Sequence, residues 1–515
     1  MPPMATMLRE NPKGEDLAVY VTLNFDVEDT VYPPEADTDG IGAWLARGLG
    51  QAGLRGTFHV IGDKARAILE RGRTDVSSAL AEHDIGIHTD SNLHPLIPEL
   101  VQDCGWEDGV ERVVEYEERA AAALRDAFWK DPVATSRHAV FSAPQSYGAA
   151  ARMGIPYVYS TVFFPEHPGP VWFAGALCFP SHARGASPYL GLGVEDALCR
   201  DDLFEEKLDW FARELDQRLE AGVSCLTVFV GHPIRVKAKG WTEDLLFANG
   251  RNRTLDEVGL AYELRTNREL ATARESFARL CDYLRRRDDI EVVGVARAAE
   301  IFSVQPDAVP RDAILAYCTS GDDPEEPHLD PCFSPAELLV AMCEALVEGT
   351  GRGALPRSVP RRDVLGPVEK PVLMPERLAV SREEFLGFCS RLVEVARETG
   401  HLPPNLDLDG ARVGLGSIHA AAVAAFRAAC YGHTFAQMRL RRARRYPPIA
   451  HELAQAMTWI EVSSFFGPEF SAEKLRLHMR LQSWTLKPAR ERALLGPYRA
   501  AAALVPRQLA LQQRS

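Results

Sequence analysis

The feature of this chain that most constrains its fold is an alternation of short apolar runs with amphipathic stretches over residues 18 to 303. Such alternation is typical of a parallel β-sheet, and about eight strands favour closure into a (β/α) barrel. The predicted strands are Val19–Phe25, Gly56–Ile61, Asp84–His88, Ala139–Ser142, Tyr157–Thr161, Val171–Phe173, Cys225–Val230 and Ile290–Val295. The predicted helices are Ile41–Ala52, Asp63–Glu70, Gly109–Phe128, Leu203–Ala221 and Arg268–Arg286.

The length and composition of the chain limit the classes of protein to which it can belong. The chain has 515 residues, which is too long for one ordinary domain, and its net charge of −14 argues against nucleic-acid binding. No Gly-rich phosphate loop follows the first strand, which counts against a dinucleotide fold. The segment from Met1 to Leu17 has no apolar run, and the ten cysteines form no CxxC pair. We therefore expect a cytoplasmic protein with reduced thiols and no membrane association.

The domain boundaries are predicted from shifts in composition. We expect an N-terminal arm over residues 1–17, the barrel over 18–304, and a mainly α-helical C-terminal region beyond it. That region is divided into a Pro/Gly-rich linker with a first helical repeat unit (305–376), a second unit (377–446) and a helical segment (447–515).

The two repeat units are predicted from a faint internal similarity. Ser334-Pro-Ala-Glu337 matches Ser381-Arg-Glu-Glu384, and each is a capping box ahead of an apolar helical run. The same offset pairs Gly353 with Gly400. Chance similarity is the alternative to a true repeat, and two roles of the units stay open, glycan binding and homo-oligomer formation.

A basic run, Arg439–Arg445, lies near the end of the second unit. We interpret it as a solvated helix face or an anchor onto the acidic barrel. A site for a polyanion is the alternative interpretation.

Polar side chains cluster where the predicted strands end. Asp26, Glu28 and Asp29 follow the first strand, and other strands end near the following residues: His88, His94, Ser142, Ser160, Thr161 and His232. Because chemistry in such a barrel gathers at the carboxyl ends of the strands, these side chains are expected to converge. Imidazoles with carboxylates are ligands of a mononuclear divalent metal site, for which Zn²⁺ is the first choice and Fe²⁺, Co²⁺ or Ni²⁺ are alternatives.

The order of these motifs resembles the polysaccharide deacetylase family of carbohydrate esterases, the NodB-type domain, over roughly residues 18–303. The resemblance is carried by Asn24-Phe25-Asp26-Val27-Glu28-Asp29, Gly56–Gly62, Glu82–Thr89 with His94-Pro95, and Val228–Pro233. It implies a metal-dependent hydrolase that removes an N-acetyl group from an amino sugar or glycan.

The family mechanism implies a role for each matching residue. Asp26 would be the general base and His232 the general acid. Glu28 or Asp29 would be the carboxylate ligand of the metal, with His88 and His94 as imidazole ligands. A divalent metal would supply the activation of water and of the acyl oxygen.

Three departures from the family pattern stand out. The family's two histidines are four residues apart, whereas His88 and His94 are six apart, so His94 reaches a metal only if residues 90–93 form a loop. The family's Arg-x-Pro motif is replaced by Ser142-Ala143-Pro144, with Arg137 as an upstream substitute. An intervening Val27 leaves the ligand open between Glu28 and Asp29.

Two alternative functions follow from these departures. One is a C–N hydrolase of the same superfamily that acts on a small amide or cyclic amide. The other is a non-catalytic glycan-binding or assembly protein with a degenerate barrel. Candidate substrate contacts near the strand ends are polar or aromatic residues, namely Ser142, Trp172, His182 and Trp241.

Overall fold

The computed structural model describes residues 19–137, 142–160, 169–180, 189–240, 243–259, 262–320, 332–374, 377–408 and 411–491. The predicted substrate contacts His182 and Trp241 lie outside these residues. The strands of the N-terminal part are β1 (Val19–Val27), β2 (Thr57–Val60), β3 (Asp84–Ile87), β4 (Ala134–Thr135), β5 (Tyr157–Ser160), β6 (Val171–Phe173), β7 (Ala176–Pro180), β8 (Tyr189–Gly191), β9 (Cys225–Gly231) and β10 (Ile290–Val292). The later strands are β11 (Ala308–Pro310), β12 (Ser358–Pro360), β13 (Leu378–Ser381), β14 (Asn405–Leu408), β15 (Ala411–Gly414), β16 (Gln437–Leu440) and β17 (Lys487–Pro488).

Helices alternate with these strands in the N-terminal part and dominate the C-terminal part. The first twelve are α1 (Asp39–Gln51), α2 (Gly62–Glu70), α3 (Thr74–Ala81), α4 (Ile97–Val101), α5 (Trp106–Phe128), α6 (Pro144–Arg152), α7 (Glu195–Leu198), α8 (Asp201–Glu220), α9 (Pro233–Lys237), α10 (Leu255–Val258), α11 (Asn267–Arg286) and α12 (Val295–Phe302). They are followed by α13 (Arg311–Thr319), α14 (Pro335–Arg352), α15 (Arg382–Thr399), α16 (Leu415–Cys430), α17 (Ala450–Glu461) and α18 (Glu473–Gln482).

The main sheet is a distorted (β/α) barrel, which confirms the predicted fold class. Its strand order is β8-β9-β1-β2-β3-β4-β5-β7-β6-β17, and β10 pairs with the start of β1. Neighbours from β8 to β7 run parallel, whereas β6 and β17 are antiparallel additions. The parallel strands therefore bring their carboxyl ends to one mouth of the barrel.

Side chains alternate between the two faces of each barrel strand. On β1, Leu23 and Phe25 pack in the large core beneath the surrounding helices. Tyr20 packs with Tyr157 and Phe179 in a smaller cluster on the other face. Because successive residues point to opposite faces, the even-numbered residues of β1 face inward, and Asp26 is the last of them on the strand. The alternation thus aims a carboxylate into the mouth of the barrel.

The predicted strand over Ala139–Ser142 does not coincide with the fourth strand of the sheet. The structure describes β4 five residues earlier, at Ala134–Thr135, and of the predicted strand it describes Ser142 alone. The additional strands β7 and β8 carry no alternating pattern that marks them in the sequence. They are short, and β7 is buried on both faces, so periodicity cannot identify it.

Both predicted capping boxes begin helices. Ser334 Oγ accepts a hydrogen bond from the Glu337 amide at 3.2 Å, and Ser381 Oγ accepts one from the Glu384 amide at 3.1 Å. The helices α14 and α15 end at Gly353 and Gly400, which both take left-handed backbone conformations. The helices share a hydrophobic core that is separate from the core of the barrel. The domain boundaries themselves stay a prediction.

The last helices contribute side chains to the core of the barrel. Leu453, Met457, Leu475 and Met479 belong to the core of the barrel, and β17 adds an antiparallel strand beside β6. All ten cysteines are free thiols. In the described part of the chain, we find no helix long and apolar enough to span a bilayer.

Candidate active site

The candidate active site begins where β1 ends. Asp26 lies on the strand, and Glu28 is the first residue beyond it that follows the same inward alternation. Glu28 accepts a hydrogen bond from Asn92 Nδ2 at 3.3 Å, and His88 Nε2 lies 3.3 Å from the same Oε2 atom. His88 Nδ1 lies 3.7 Å from Asp26 Oδ1. One imidazole is thus placed between the two carboxylates.

A sharp turn after β3 brings Asn92 back to this cluster. Thr89 has a φ of 77°, in the left-handed region that a β-branched residue rarely adopts. The Thr89 and Asp90 carbonyls accept hydrogen bonds from the amides of Gly62 and Asp63, both at 3.0 Å. These contacts hold the turn in place despite its backbone strain, which is a common feature of functional sites.

His232 enters the cluster from the end of β9. Its Nε2 atom lies 3.2 Å from Glu28 Oε1, and its Nδ1 atom lies 3.1 Å from Glu195 Oε1. Glu195 Oε1 also accepts a hydrogen bond from the His232 amide at 2.8 Å. Glu195 packs directly over Gly231, where a Cβ atom would lie 2.5 Å from the Glu195 carboxyl carbon. Gly231 therefore lets Glu195 orient the histidine.

Exposure divides the cluster into an inner and an outer pair. The side chains of Glu28 and His88 are 0% and 1% exposed, whereas those of Asp26 and His232 are 11% and 27% exposed. Asp26 and His232 are therefore the groups that a substrate at the mouth of the barrel can reach. Glu28 and His88 lie deeper in the barrel, where Glu28 contacts His232 and His88 contacts Asp26.

The carboxylates stabilise the charged form of both histidines. For His232, burial lowers the pKa, but the hydrogen bonds that the ring donates to Glu195 and Glu28 and the charges of Glu28 and Asp26 outweigh this effect and raise the pKa to about 10. For His88, burial also lowers the pKa, and the charges of Asp26 and Glu28 reverse the effect and raise it. His232 is thus held as an imidazolium, which is the form that a general acid needs.

Asp29 does not join this cluster, although the sequence offers it as an alternative to Glu28. Its Oδ2 atom accepts a hydrogen bond from Lys64 Nζ at 3.0 Å. Lys64 also binds Asp39, which pairs with Arg71 at 2.9 Å. Burial raises the pKa of Asp29, and the charge of Lys64 opposes this rise. Asp29 therefore belongs to a buried ion-pair network behind the site.

Replacing Lys64 with methionine is expected to destabilise the barrel by about 3–5 kcal/mol, because it removes the buried cation beside Asp29. Urea-induced unfolding measures the change. Lys239→Met is the matched control, since that lysine pairs with Glu263 at the surface, where water and salt screen the ion pair. Equal stability of the Lys64→Met variant and the wild type would contradict this role.

The structure also places His94 away from the other predicted ligands. Its Nε2 atom donates to the Phe247 carbonyl at 2.7 Å, and its Nδ1 atom lies 2.6 Å from Glu99 Oε2. The backbone of His94 exchanges two hydrogen bonds with Asn252. Both ring nitrogens of His94 are thus engaged in fixing a loop rather than directed at Glu28 or His88.

The described residues do not fit the predicted metal centre. Of the four predicted ligands, Glu28 and His88 meet, whereas Asp29 and His94 have other partners. In the part of the chain that the structure describes, no group of three His, Cys, Asp or Glu side chains is arranged to hold a metal ion.

Asn92 stands where a third ligand would be needed. It lies four residues after His88, the histidine spacing of the family that the sequence resembles, and its amide group contacts Glu28. The spacing of four residues from His88 is the signal in the sequence that could have identified Asn92. It does so only if asparagine is considered at this position as well as histidine. By contrast, nothing in the sequence marks Glu195, because it lies on the short helix α7, far from every motif.

The remaining predicted residues are placed as follows. Ser142 is buried just before α6, and its contact with substrate stays a prediction. Trp172 lies on β6 opposite Leu177 and packs against the inner cluster of the barrel, so its ring serves packing. Arg137 Nε lies 3.1 Å from Glu117 Oε1, in a buried ion pair.

No protein-family model and no curated protein matches this sequence. Solved structures do show similarity. A protein from Mycobacterium smegmatis described as a polysaccharide deacetylase is 18% identical, with 55% of this chain and 90% of that chain covered and a TM-score of 0.34. The PuuE allantoinase is 10% identical, with 55% and 89% covered and a TM-score of 0.34. The peptidoglycan deacetylase PdaC from Bacillus subtilis is 10% identical, with 55% and 91% covered and a TM-score of 0.28.

Polysaccharide deacetylases are thus among the solved structures similar to this chain, as the sequence motifs predict. All three TM-scores lie below 0.5 and all three identities below 25%. The activity of this chain therefore has to be inferred from its own side chains.

Proposed function

We propose that this protein is a hydrolase that cleaves an acyl C–N bond, with an N-acetylated amino sugar or glycan as the substrate class. The observation that supports this most is the pairing of a carboxylate and an imidazolium at the barrel mouth. Asp26 and His232 are the exposed members of the cluster, and both are oriented by buried partners. Hydrolysis of an amide needs such a base and such an acid together.

Each side chain has a distinct task in this reaction. The Asp26 carboxylate takes a proton from water as the water oxygen bonds to the acyl carbon. The His232 imidazolium then gives its proton to the amine nitrogen as the C–N bond breaks, so a carboxylic acid and an amine leave. Glu28 and Glu195 orient His232 and stabilise its charged form. His88 fixes the positions of Asp26 and Glu28 relative to one another.

The sequence resemblance implies a metal-dependent reaction with Zn²⁺ as the first candidate, whereas we propose that the side chains of the cluster act without a metal ion. Since two of the four predicted ligands meet, we expect the protein to keep its turnover after treatment with a chelator and dialysis. Elemental analysis of the same sample, together with the rate of acyl release, is the measurement. Loss of turnover on chelation that Zn²⁺ restores would instead favour the metal-dependent reaction.

The choice between sugar and small-molecule substrates needs a substrate panel. We expect acetate release from N-acetylated chitooligosaccharides, measured by coupled enzymatic detection of acetate. Turnover of small linear or cyclic amides, without any release from the oligosaccharides, would favour the alternative C–N hydrolase. Absence of turnover across the whole panel would favour a non-catalytic binding protein.

A further inference from the structure

A strongly basic cavity lies at the end of the C-terminal region, apart from the residues of the candidate active site. We call it the basic pocket and define it by Arg442, Arg444, Arg445, Tyr446, His451 and Arg480. Its volume is about 680 Å³. A neighbouring cavity of about 440 Å³ shares Arg445, Tyr446 and Arg480, and it adds two lysines and the acidic side chains Asp103 and Glu473.

The wall of the basic pocket is held by close backbone packing. Gly416, in the first turn of α16, lies against the backbone of Arg444, where a Cβ atom would be 1.8 Å from the Arg444 carbonyl oxygen. Arg480 also lines the pocket and extends from α18, whose residues Leu475 and Met479 are buried in the core of the barrel. The arginines are therefore presented by two anchored elements.

Three of the four arginines of the basic pocket have no carboxylate partner among the described residues. Among the described residues, the exposed Arg442 and the half-buried Arg445 and Arg480 form no ion pair, whereas the half-buried Arg361 pairs with Glu337 at 2.8 Å. Arg445 Nε and Tyr446 Oη are buried and have no hydrogen-bond partner within the described chain. Such donors are costly to bury unless a ligand satisfies them.

Unpaired cations in one cavity destabilise the protein unless an anion balances their charge. The chain carries a net charge of −14, so random placement of its arginines would favour carboxylate neighbours. Like charges brought together repel one another, and an anion in the cavity removes that repulsion. The guanidinium group binds two oxygens of a phosphate at once, and the tyrosine hydroxyl supplies a further donor.

We propose that the basic pocket is a binding site for a small ligand with two or more phosphate groups, such as a pyrophosphate ester. The volume of about 680 Å³ lies within the range of small-molecule sites. The acidic net charge of the chain also disfavours nucleic acid. The proposal does not depend on the chemistry at Asp26 and His232, because it uses none of those residues.

Isothermal titration calorimetry of the full-length protein with inorganic pyrophosphate tests this site. We expect saturable binding that weakens at least tenfold in Arg480→Gln and in Arg445→Gln. Arg391→Gln is the control, because Arg391 is exposed and pairs with Glu394 elsewhere on the surface. Arg480→Lys keeps the charge and is expected to recover only part of the affinity, since lysine cannot bind two phosphate oxygens in parallel.

Three results would overturn the proposal. The first is an absence of pyrophosphate binding to the wild type, and the second is equal binding to the wild type and the glutamine variants. The third is displacement of pyrophosphate by single-stranded RNA at lower concentration than by tripolyphosphate, which would assign the arginines to nucleic acid. Thermal unfolding of each variant, compared with Arg391→Gln, separates loss of the site from loss of the fold.

Discussion

Replacing Asp26 with asparagine is expected to lower the rate of acyl release by a factor of about 10²–10⁴, which is the usual contribution of a positioned general base. Asparagine keeps the size of the side chain but cannot accept the proton of water. Because the Asp26 side chain is 11% exposed, the change removes a group that contacts the substrate region directly. Steady-state kinetics on an N-acetylated oligosaccharide measures the effect as a loss in kcat.

The matched control for this prediction is Asp63→Asn. Asp63 is a nearby carboxylate on the surface of α2, where it pairs with Arg66 at 2.7 Å. We expect the kcat of this variant to equal that of the wild type. A kcat for Asp26→Asn within a factor of two of the control would contradict the assignment of the base.

Replacing Asn92 with histidine is expected to create a metal site. The new imidazole would stand beside Glu28 and His88 at the family spacing and supply the third protein ligand that a zinc centre needs. Zinc sites with four ligands bind with about 10–16 kcal/mol, so one further ligand contributes roughly 3 kcal/mol, or about 100-fold in affinity. Competition with a fluorescent zinc chelator measures the gain.

Two variants control for zinc binding elsewhere on the chain. Asn92→Gln changes the same position without an imidazole and is expected to match the wild type in zinc affinity. Adding His88→Ala to the Asn92→His variant is expected to remove the gain, because His88 supplies one of the three ligands. Unchanged zinc affinity of the Asn92→His variant would show that Asn92 does not stand in a vacant ligand position.

The strands and helices of the barrel can be predicted from the sequence because the apolar residues recur with a different period in the two kinds of element. The helices over Asp39–Gln51 and Asn267–Arg286 lie close to their predicted ranges, since each has one apolar stripe. The strand β7 is not predictable in this way, because a short run buried on both faces has no alternation. The packing of α17 and α18 onto the barrel is a tertiary contact that no local pattern encodes.

The candidate site is predictable in part for a similar reason. Asp26, Glu28, His88 and His232 each end a strand, and parallel strands bring their ends together. Asp29 lies one residue after Glu28 and His94 lies six residues after His88, and both residues are in loops. The turns of a loop decide where its side chains point, and the sequence does not specify those turns. Glu195 becomes visible only in three dimensions, where Gly231 leaves room for its carboxylate.

We propose that Asp26 and His232 act together on an acyl C–N bond at the barrel mouth. The most direct measurement is detection by NMR of acetate released from N-acetylated chitooligosaccharide by the wild type and by His232→Gln. We expect one free amine for each acetate that accumulates in the wild-type reaction, and we expect acetate release to be slower by about 100-fold in the variant. Equal acetate release by the two proteins would contradict it.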